Sequence, residues 1–146
     1  MRRLAAPKGW AQLLLAATAE PWSALRSAVA AGAAATTRLL DDAGLTGRGG
    51  AGFPTGEKWR AVIAMGAPIT YAVANGYESD PATFTNRLLL EENAQAVVEG
   101  LAIAAATVGA REAFIAVRAE YADAIRRLES VIAEGERSGV IGTRLL

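Results

Sequence analysis

Two short apolar segments flank a long helical pattern, and this arrangement constrains the fold more than any other feature of the chain. The first segment, PITYAVANG, begins at Pro68 and ends at Gly76, and the second is EAFIAVR. Both are predicted to be buried strands, and the near-continuous apolar character of the first predicts burial on both of its faces. The stretch LLLEENAQAVVEGLAIAAATVG between them has apolar residues at helical spacing and predicts one long helix. We therefore expect an α/β fold with parallel strands, joined by a right-handed crossover and covered by helices on both sides.

Further helices are predicted on either side of this unit. From Pro21 to Ala43 an apolar stripe runs through alanine-rich sequence, and Gly32 is expected to divide it into two helices. GEKWRAVIAMG predicts a short helix that stops at Gly66, and EYADAIRRLESVIAEGERSG predicts an amphipathic helix that stops at Gly139. Together these elements predict a three-layer α/β domain with a short parallel sheet flanked by helices.

The length of 146 residues corresponds to one domain. We assign residues 1–20 to an N-terminal extension and residues 21–146 to the α/β domain. The extension starts with MRR and continues into WAQLLLAATAE, which loosely imitates a signal peptide. Lys8 and Gln12 are polar and do not fit the apolar region of a signal peptide, so a first helix in the cytoplasm is the preferred interpretation.

Composition excludes several classes of function. Lys+Arg and Asp+Glu both number 15, so the net charge of zero gives no reason to expect nucleic acid as a partner. The chain has no cysteine, which excludes a thiolate-ligated iron–sulfur cluster, and no histidine, which removes the commonest general base. No apolar run approaches the roughly 20 residues that span a bilayer, so no direct membrane insertion is expected. Any chemistry is therefore expected to come from a cofactor.

The stretch GLTGRGGAGFPTGEKW, residues 44–59, is the candidate functional motif. Residues 44–56 of this stretch contain six of the chain's 15 glycines, which predicts irregular structure. Bare backbone followed by a helix N-terminus can cradle a phosphate, and Lys58 could reach back to it. Arg48 could do the same or pack elsewhere, and Phe53 either stacks on an aromatic ring or anchors the loop in the core. The segment matches neither the G-x-G-x-x-G fingerprint nor the P-loop, so the residues alone leave a phosphate site and a structural loop equally open.

The same stretch closely resembles the FMN- and NADH-binding loop of the flavoprotein subunit of respiratory complex I. That family includes the diaphorase subunits of NAD-reducing hydrogenases and formate dehydrogenases. Its pattern G-L-R-G-R-G-G-A-G-F-P-T-G-x-K-W differs here only at Thr46. NGYESDPATFTNR, residues 75–87, is similar to the family block N-A-D-E-x-E-P-G-T-F-K-D-R, and Arg118, Glu120 and Tyr121 match R-x-E-Y. The resemblance runs from about residue 22 to the end of the chain.

The resemblance implies a Rossmann-like domain in which FMN lies on the glycine loop, NADH stacks over the flavin, and hydride passes from NADH to FMN. No residue needs a catalytic acid–base role. Asn75 would hydrogen-bond the flavin, Phe53 would stack on NADH, and Glu78 and Asp80 would line the NADH side. The cofactor-binding residues carried over from the family are Gly47, Arg48, Gly49, Gly50, Ala51, Gly52, Phe53, Lys58, Asn75, Glu78 and Asp80.

The departures from the family pattern bear on activity. Tyr77 stands where the family has an aspartate that contacts the flavin, while Ala82, Thr85 and Asn86 replace a glycine, a lysine and an aspartate. The family's later flavin-pocket segment, ubiquitin-like module and cluster-binding bundle are not in this sequence. We therefore expect part of an NADH:acceptor oxidoreductase, with a quinone or ferredoxin-like acceptor and partner subunits that carry iron–sulfur clusters. Those partners would place it in the cytoplasm or at the inner face of the membrane.

Two alternatives stay open. The chain could be a degenerate, non-catalytic homologue that serves as a subunit or docking module, or the loop could hold another phosphate-bearing ligand whose ring stacks on Tyr77. Structural roles are also open for the acidic residues: Glu78 and Asp80 could cap the helix predicted near Phe84. Arg118 and Glu120 are expected to pin the end of the second strand to a neighbouring loop.

Overall fold

The computed structural model describes residues 20–48, 50–80 and 82–142. It contains six α-helices and two β-strands in these ranges. In chain order they are α1 Ser23–Ala31, α2 Ala33–Asp42, α3 Thr55–Ala64, β1 Tyr71–Asn75, α4 Thr85–Glu92, α5 Ala94–Val108, β2 Glu112–Ala116 and α6 Ala122–Arg137. The proposed extension lies outside the described residues except for Glu20, so the division at residue 20 stays a prediction.

The two strands form a parallel sheet, which confirms the predicted α/β class. Tyr71 pairs with Glu112 at one end of the register and Asn75 pairs with Ala116 at the other. The helix α5 follows β1 and precedes β2, and it packs against both strands. The contact is made through small side chains that permit close approach, and Leu101 of α5 is buried with them.

Only one face of the sheet is covered by the described helices, so the prediction that β1 is buried on both faces is wrong. Ala72 is buried, whereas Tyr71 is 54% exposed and Val73 is 61% exposed. Successive side chains of a strand point to opposite faces, so this alternation places Tyr71 and Val73 on the bare face. The sequence did not predict this difference between the two faces, because the residues on both faces are apolar.

The predicted long helix is divided into α4 and α5 at Asn93. This residue has φ −139° and ψ 43°, outside the helical region. Asn is a poor helix former because its side chain competes for backbone hydrogen bonds. The break directs the end of α4 towards the end of β1. A Cβ on Gly76 would lie 2.9 Å from Cδ1 of Leu90, so the packing between α4 and the end of β1 leaves no space for a side chain at Gly76.

Glycine positions were predicted well where they end helices. Gly32 has φ 79° and separates α1 from α2, and Gly139 has φ 69° just beyond α6. Both conformations are costly for residues with a Cβ. The glycine-rich segment ends two residues earlier than predicted, because Thr55 and Gly56 form the first turn of α3.

The main core is formed by helices α1, α4, α5 and α6. Val98 of α5 is fully enclosed there, with Trp22, Leu25 and Leu128 around it. One charged group, Glu99, is buried beside this core. Its carboxylate accepts hydrogen bonds from the backbone N–H groups of Trp22 at 3.2 Å and Leu25 at 3.0 Å. Glu99 thereby satisfies N–H groups that the start of α1 leaves without an intrahelical partner.

None of the described helices combines the length and the apolar character that a membrane span requires.

Candidate cofactor-binding site

The glycine segment between α2 and α3 is a loop closed at its base. The N–H of Gly47 donates to the carbonyl of Phe53 at 2.9 Å, and the N–H of Thr55 donates to the carbonyl of Leu45 at 2.9 Å. Thr46 and Pro54 form an antiparallel bridge between these two hydrogen bonds. The base is therefore fixed, and residues 47, 48 and 50–53 project from it.

The tip of the loop depends on glycine. Gly50 has φ 108° and Gly52 has φ 59°, conformations in which a side chain is strained. Gly49, which the resemblance assigns to the site, lies outside the described residues. Arg48 and Ala51 are exposed on the same loop. Gly50 and Gly52 are exposed and border open space, so an anion can approach the backbone there, as an anion cradle requires.

Lys58 reaches back over this loop from the first turns of α3. Its Nζ lies 3.9 Å from the position that a Cβ on Gly47 would occupy and 6.0 Å from the ring centroid of Phe53. Among the residues that the structure describes, no carboxylate lies within ion-pair distance of this Nζ. The ammonium group therefore lies beside the loop and is available to an anion.

The N-terminus of α3 directly follows the loop. Pro54 occupies the N-cap position, and no side chain of the described residues caps this end. The helix is pressed against α2: a Cβ on Gly56 would collide with the carboxylate of Asp41 and lie 2.7 Å from the carbonyl of Thr37. Arg60 Nη1 also donates to Asp41 Oδ2 at 2.5 Å. These contacts fix the direction of α3 and of its partial positive charge.

Phe53 does not anchor the loop in the core. Its side chain is 48% exposed and lies beside the Lys58 ammonium. An exposed aromatic ring on a fixed loop is free to stack on a planar ligand. The structure therefore argues against the core-anchor role that the sequence left open for Phe53, and stacking of its ring on a ligand stays a prediction.

The second group of predicted site residues follows β1. Asn75 Oδ1 accepts a hydrogen bond from the N–H of Tyr77 at 3.1 Å, so the chain turns directly after the strand. The carboxamide of Asn75 retains its NH₂ group, which has two donors. In parallel sheets, ligands bind beyond the carboxyl ends of the strands, and Asn75 and Tyr77 lie at that edge.

Glu78 caps a helix. Its carboxylate is buried and accepts hydrogen bonds from the N–H of Asn86 at 2.9 Å and the N–H of Arg87 at 3.4 Å. Asp80 makes a tight turn just upstream, where its Oδ1 accepts from the N–H of Ala82 at 2.8 Å. The structure thus shows the considered capping role for Glu78 but not for Asp80, and the contact of both acids with NADH stays a prediction.

Arg118 fixes the loop after β1 to the end of β2. Its Nη1 donates to the carbonyl of Glu78 at 3.0 Å, and its Nε lies 3.4 Å from Glu120 Oε2. The hydrogen bond to Glu120 raises the pKa of the guanidinium above its ordinary value. The prediction that Arg118 and Glu120 pin the strand end to a neighbouring loop is confirmed.

Sequence reasoning missed the aromatic contacts of this arginine. The Arg118 guanidinium lies 5.4 Å from the ring centroid of Tyr77 and 5.8 Å from that of Tyr121. Arg87 lies on Tyr121 as well, at 5.4 Å. These distances are within cation–π range. Tyr77 and Arg118 are far apart in the sequence, and no spacing rule connects them.

Different structural elements hold the two groups of predicted site residues in place. The glycine loop is held by α2 and α3, whereas the loop after β1 is held by α4 and the end of β2. A cavity of about 520 Å³ lies elsewhere: it is lined by Val29 of α1, Ala105 of α5 and Arg111 before β2. None of the predicted site residues lines it. The candidate site is therefore an open surface on two loops.

Fold and site together define a Rossmann-like domain whose glycine loop has the features of an anion cradle. The family sequence model of the Nuo51 FMN-binding domain matches residues 40–145 of this chain. The chain belongs to this family, as its resemblance to the complex I flavoprotein subunit predicted.

Relatives are found in two kinds of enzyme. The chain is 42% identical over 108 residues to a subunit of the NADH-quinone oxidoreductase of Rhizobium meliloti, and the match covers 74% of this chain and 26% of that protein. It is 41% identical over 107 residues to a subunit of the NADP-reducing hydrogenase of Solidesulfovibrio fructosivorans, covering 73% of this chain and 22% of that protein. The chain thus spans about a quarter of the length of these relatives.

A solved structure has the same fold. A chain of an NAD+-reducing NiFe hydrogenase in the H2-reduced state matches with a TM-score of 0.75 and 32% sequence identity. The match covers 89% of this chain and 23% of that one. The Rossmann-like architecture is therefore established for most of the chain.

Proposed function

We propose that this chain binds FMN, with the phosphate held by the glycine loop and Lys58. The observation that carries the proposal is the position of Lys58 Nζ beside the glycine loop. It lies 3.9 Å from the position that a Cβ on Gly47 would occupy. The uncapped N-terminus of α3 adds partial positive charge on the same side. A dianionic phosphate monoester satisfies all three features.

The chemistry of the residues fits the cofactor beyond its phosphate. Phe53 offers an exposed ring beside Lys58, and Asn75 offers amide donors at the carboxyl end of β1. When bound, FMN supplies hydride acceptance from a nicotinamide. The role of the chain itself is to bind and orient the two cofactors, so no side chain has to transfer a proton. Of the family's NADH contacts, Phe53 and Asp80 keep accessible surfaces.

The proposed activity is that of one module in an NADH:acceptor oxidoreductase. The relatives named above are subunits of an NADH-quinone oxidoreductase and of an NADP-reducing hydrogenase. This chain has no cysteine, so partner subunits with iron–sulfur clusters would receive the electrons. The acceptor beyond those partners is a quinone or a ferredoxin-like protein.

A second candidate function is that of a non-catalytic subunit or docking module. It is favoured by the carboxylate of Glu78, which is buried and already accepts two backbone hydrogen bonds at the start of α4. A group used in this way is poorly placed to contact NADH. In this case the fold would be retained while cofactor binding is lost.

A fluorescence titration with two flavins separates the candidates. Riboflavin lacks the phosphate of FMN, so a phosphate cradle predicts tighter binding of FMN. Lys58→Ala is expected to weaken FMN binding roughly 10- to 150-fold, because one hydrogen bond to a charged group contributes about 1.5–3 kcal/mol, and to leave riboflavin binding unchanged. Arg127→Ala, which removes an exposed cation of α6, is the matched control and should change neither affinity. Absence of flavin binding to the unaltered protein would favour the docking module.

A further inference from the structure

Tyr77 is held in one orientation although it is exposed. Its residue surface is 54% accessible, a value typical of a tyrosine that rotates freely in water. One face of its ring, however, lies on the guanidinium of Arg118, 5.4 Å from the ring centroid. The backbone N–H of Tyr77 is bonded to Asn75 Oδ1 at 3.1 Å, so the main chain is also fixed.

Arg118 is itself immobilised, which makes it a rigid support for the ring. It donates to the Glu78 carbonyl at 3.0 Å and lies 3.4 Å from Glu120 Oε2. Its guanidinium also lies 5.8 Å from the ring centroid of Tyr121. A ring backed in this way loses little conformational entropy when a ligand covers its free face.

The location of the ring determines what can cover it. Tyr77 follows Asn75 at the carboxyl end of β1, the edge where parallel-sheet proteins bind nucleotides. A flat, preoriented aromatic face at such an edge suits a planar heteroaromatic ring, and stacking is tolerant of the identity of that ring.

We infer that Tyr77, positioned by Arg118, is a stacking platform for the heteroaromatic ring of the bound nucleotide. The inference rests on the proposed function, because it assigns a ring contact to the ligand whose phosphate the glycine loop holds. Flavin and nicotinamide adenine dinucleotide both supply such a ring. Tyr77 thus contributes an aromatic contact where the family pattern has a charged one.

Tyr71 provides a matched control within the same chain. It is also 54% exposed, and its ring contacts that of Phe114 with the centroids 6.0 Å apart. It lies on the bare face of the sheet at the start of β1, and Tyr77 lies just beyond the end of the same strand. A general effect of removing an exposed tyrosine should therefore appear equally at both positions.

The test measures the affinities of FMN, riboflavin and NAD+ for the unaltered protein and for three variants. Tyr77→Ala is expected to weaken binding of the stacked ring about five- to tenfold, and Tyr77→Phe is expected to retain it, because the ring remains. Tyr71→Ala should match the unaltered protein. For a stacked flavin, the visible absorption band should shift to longer wavelength and lose intensity in the unaltered protein and in Tyr77→Phe, but not in Tyr77→Ala.

The outcomes separate this inference from the proposed function. Loss of FMN and riboflavin affinity in Tyr77→Ala identifies flavin as the stacked ring, and loss of NAD+ affinity alone identifies the dinucleotide. Unchanged affinities for all three ligands in Tyr77→Ala would overturn the platform, while tighter binding of FMN than of riboflavin would still support the phosphate cradle. Failure of the unaltered protein to bind any of them would overturn both.

Discussion

Replacing Gly47 with alanine should separate binding from folding. A Cβ at this position would lie 3.7 Å from the carbonyl oxygen of Phe53 and 3.9 Å from Lys58 Nζ, ordinary van der Waals distances. The backbone of Gly47 is also outside the left-handed region. The fold can therefore accept the methyl group, and alanine restricts the unfolded chain, which stabilises a protein by about 0.4–1 kcal/mol at a compatible site.

The same methyl group would enter the space between the loop and the ammonium of Lys58. This is the space that we assign to the FMN phosphate. Displacing the phosphate from Lys58 removes one hydrogen bond to a charged group, about 1.5–3 kcal/mol, which corresponds to a fall in FMN affinity of roughly 10- to 150-fold. Riboflavin affinity should change little.

Gly56→Ala is the opposite control. Its Cβ would collide with the carboxylate of Asp41 and lie 2.7 Å from the carbonyl of Thr37, between α2 and α3. Overpacking of this kind costs about 1–3 kcal/mol. Urea denaturation and FMN titration of both variants make the comparison. The reasoning is refuted if Gly47→Ala destabilises the protein as much as Gly56→Ala, or if it binds FMN as tightly as the unaltered protein.

Three acidic residues yield further predictions. Glu99→Ala should lower the free energy of unfolding by about 3 kcal/mol in urea denaturation, because two backbone N–H groups of α1 lose a buried acceptor; an unchanged midpoint would contradict this. Glu78→Ala should cost about 1 kcal/mol and speed amide hydrogen exchange at the start of α4 but not in α6; uniform exchange rates would argue against the cap. A hydrogen bond from its own backbone and one from Arg118 hold the pKa of Glu120 below its usual 4.5, so the stability that this carboxylate contributes is lost only as pH falls through the lowered pKa. Carbon-13 NMR should place that pKa below 4.5 and show it rising in Arg118→Gln; no rise would exclude the ion pair as a cause.

Local conformational signals in the sequence predicted much of the fold. Gly32 and Gly139 mark helix ends because their positive φ values are costly for other residues. The alternation of strand and helix predicted the parallel pairing of β1 and β2, because a helical crossover allows few alternatives. Such features depend on a few neighbouring residues, which the sequence displays directly.

Features that depend on distant partners were not predictable in the same way. The break at Asn93 allows Leu90 to pack at Gly76, a contact between the end of β1 and the end of α4. The exposure of Val73 depends on which face α5 covers, and apolar residues on both faces hide that choice. The Tyr77–Arg118 contact joins residues from the ends of two strands, so it exists only after the sheet has formed.

At the site, the glycine loop was the most predictable part. The positions of Lys58 and of the tip glycines follow from one continuous segment, and the structure places the ammonium beside Gly47. Glu78 shows the opposite case. Its sequence position allowed both a ligand contact and a helix cap, and only the location of α4 identifies the cap.

The most direct test of the central claim is nitrogen-15 NMR of the protein during an FMN titration. We expect the largest amide shifts at residues 47–53 and at the first turn of α3, with smaller shifts at Tyr77. Large shifts confined to the cavity lined by Ala105 and Arg111, or spread evenly over the chain, would contradict the assignment of the glycine loop as the FMN site.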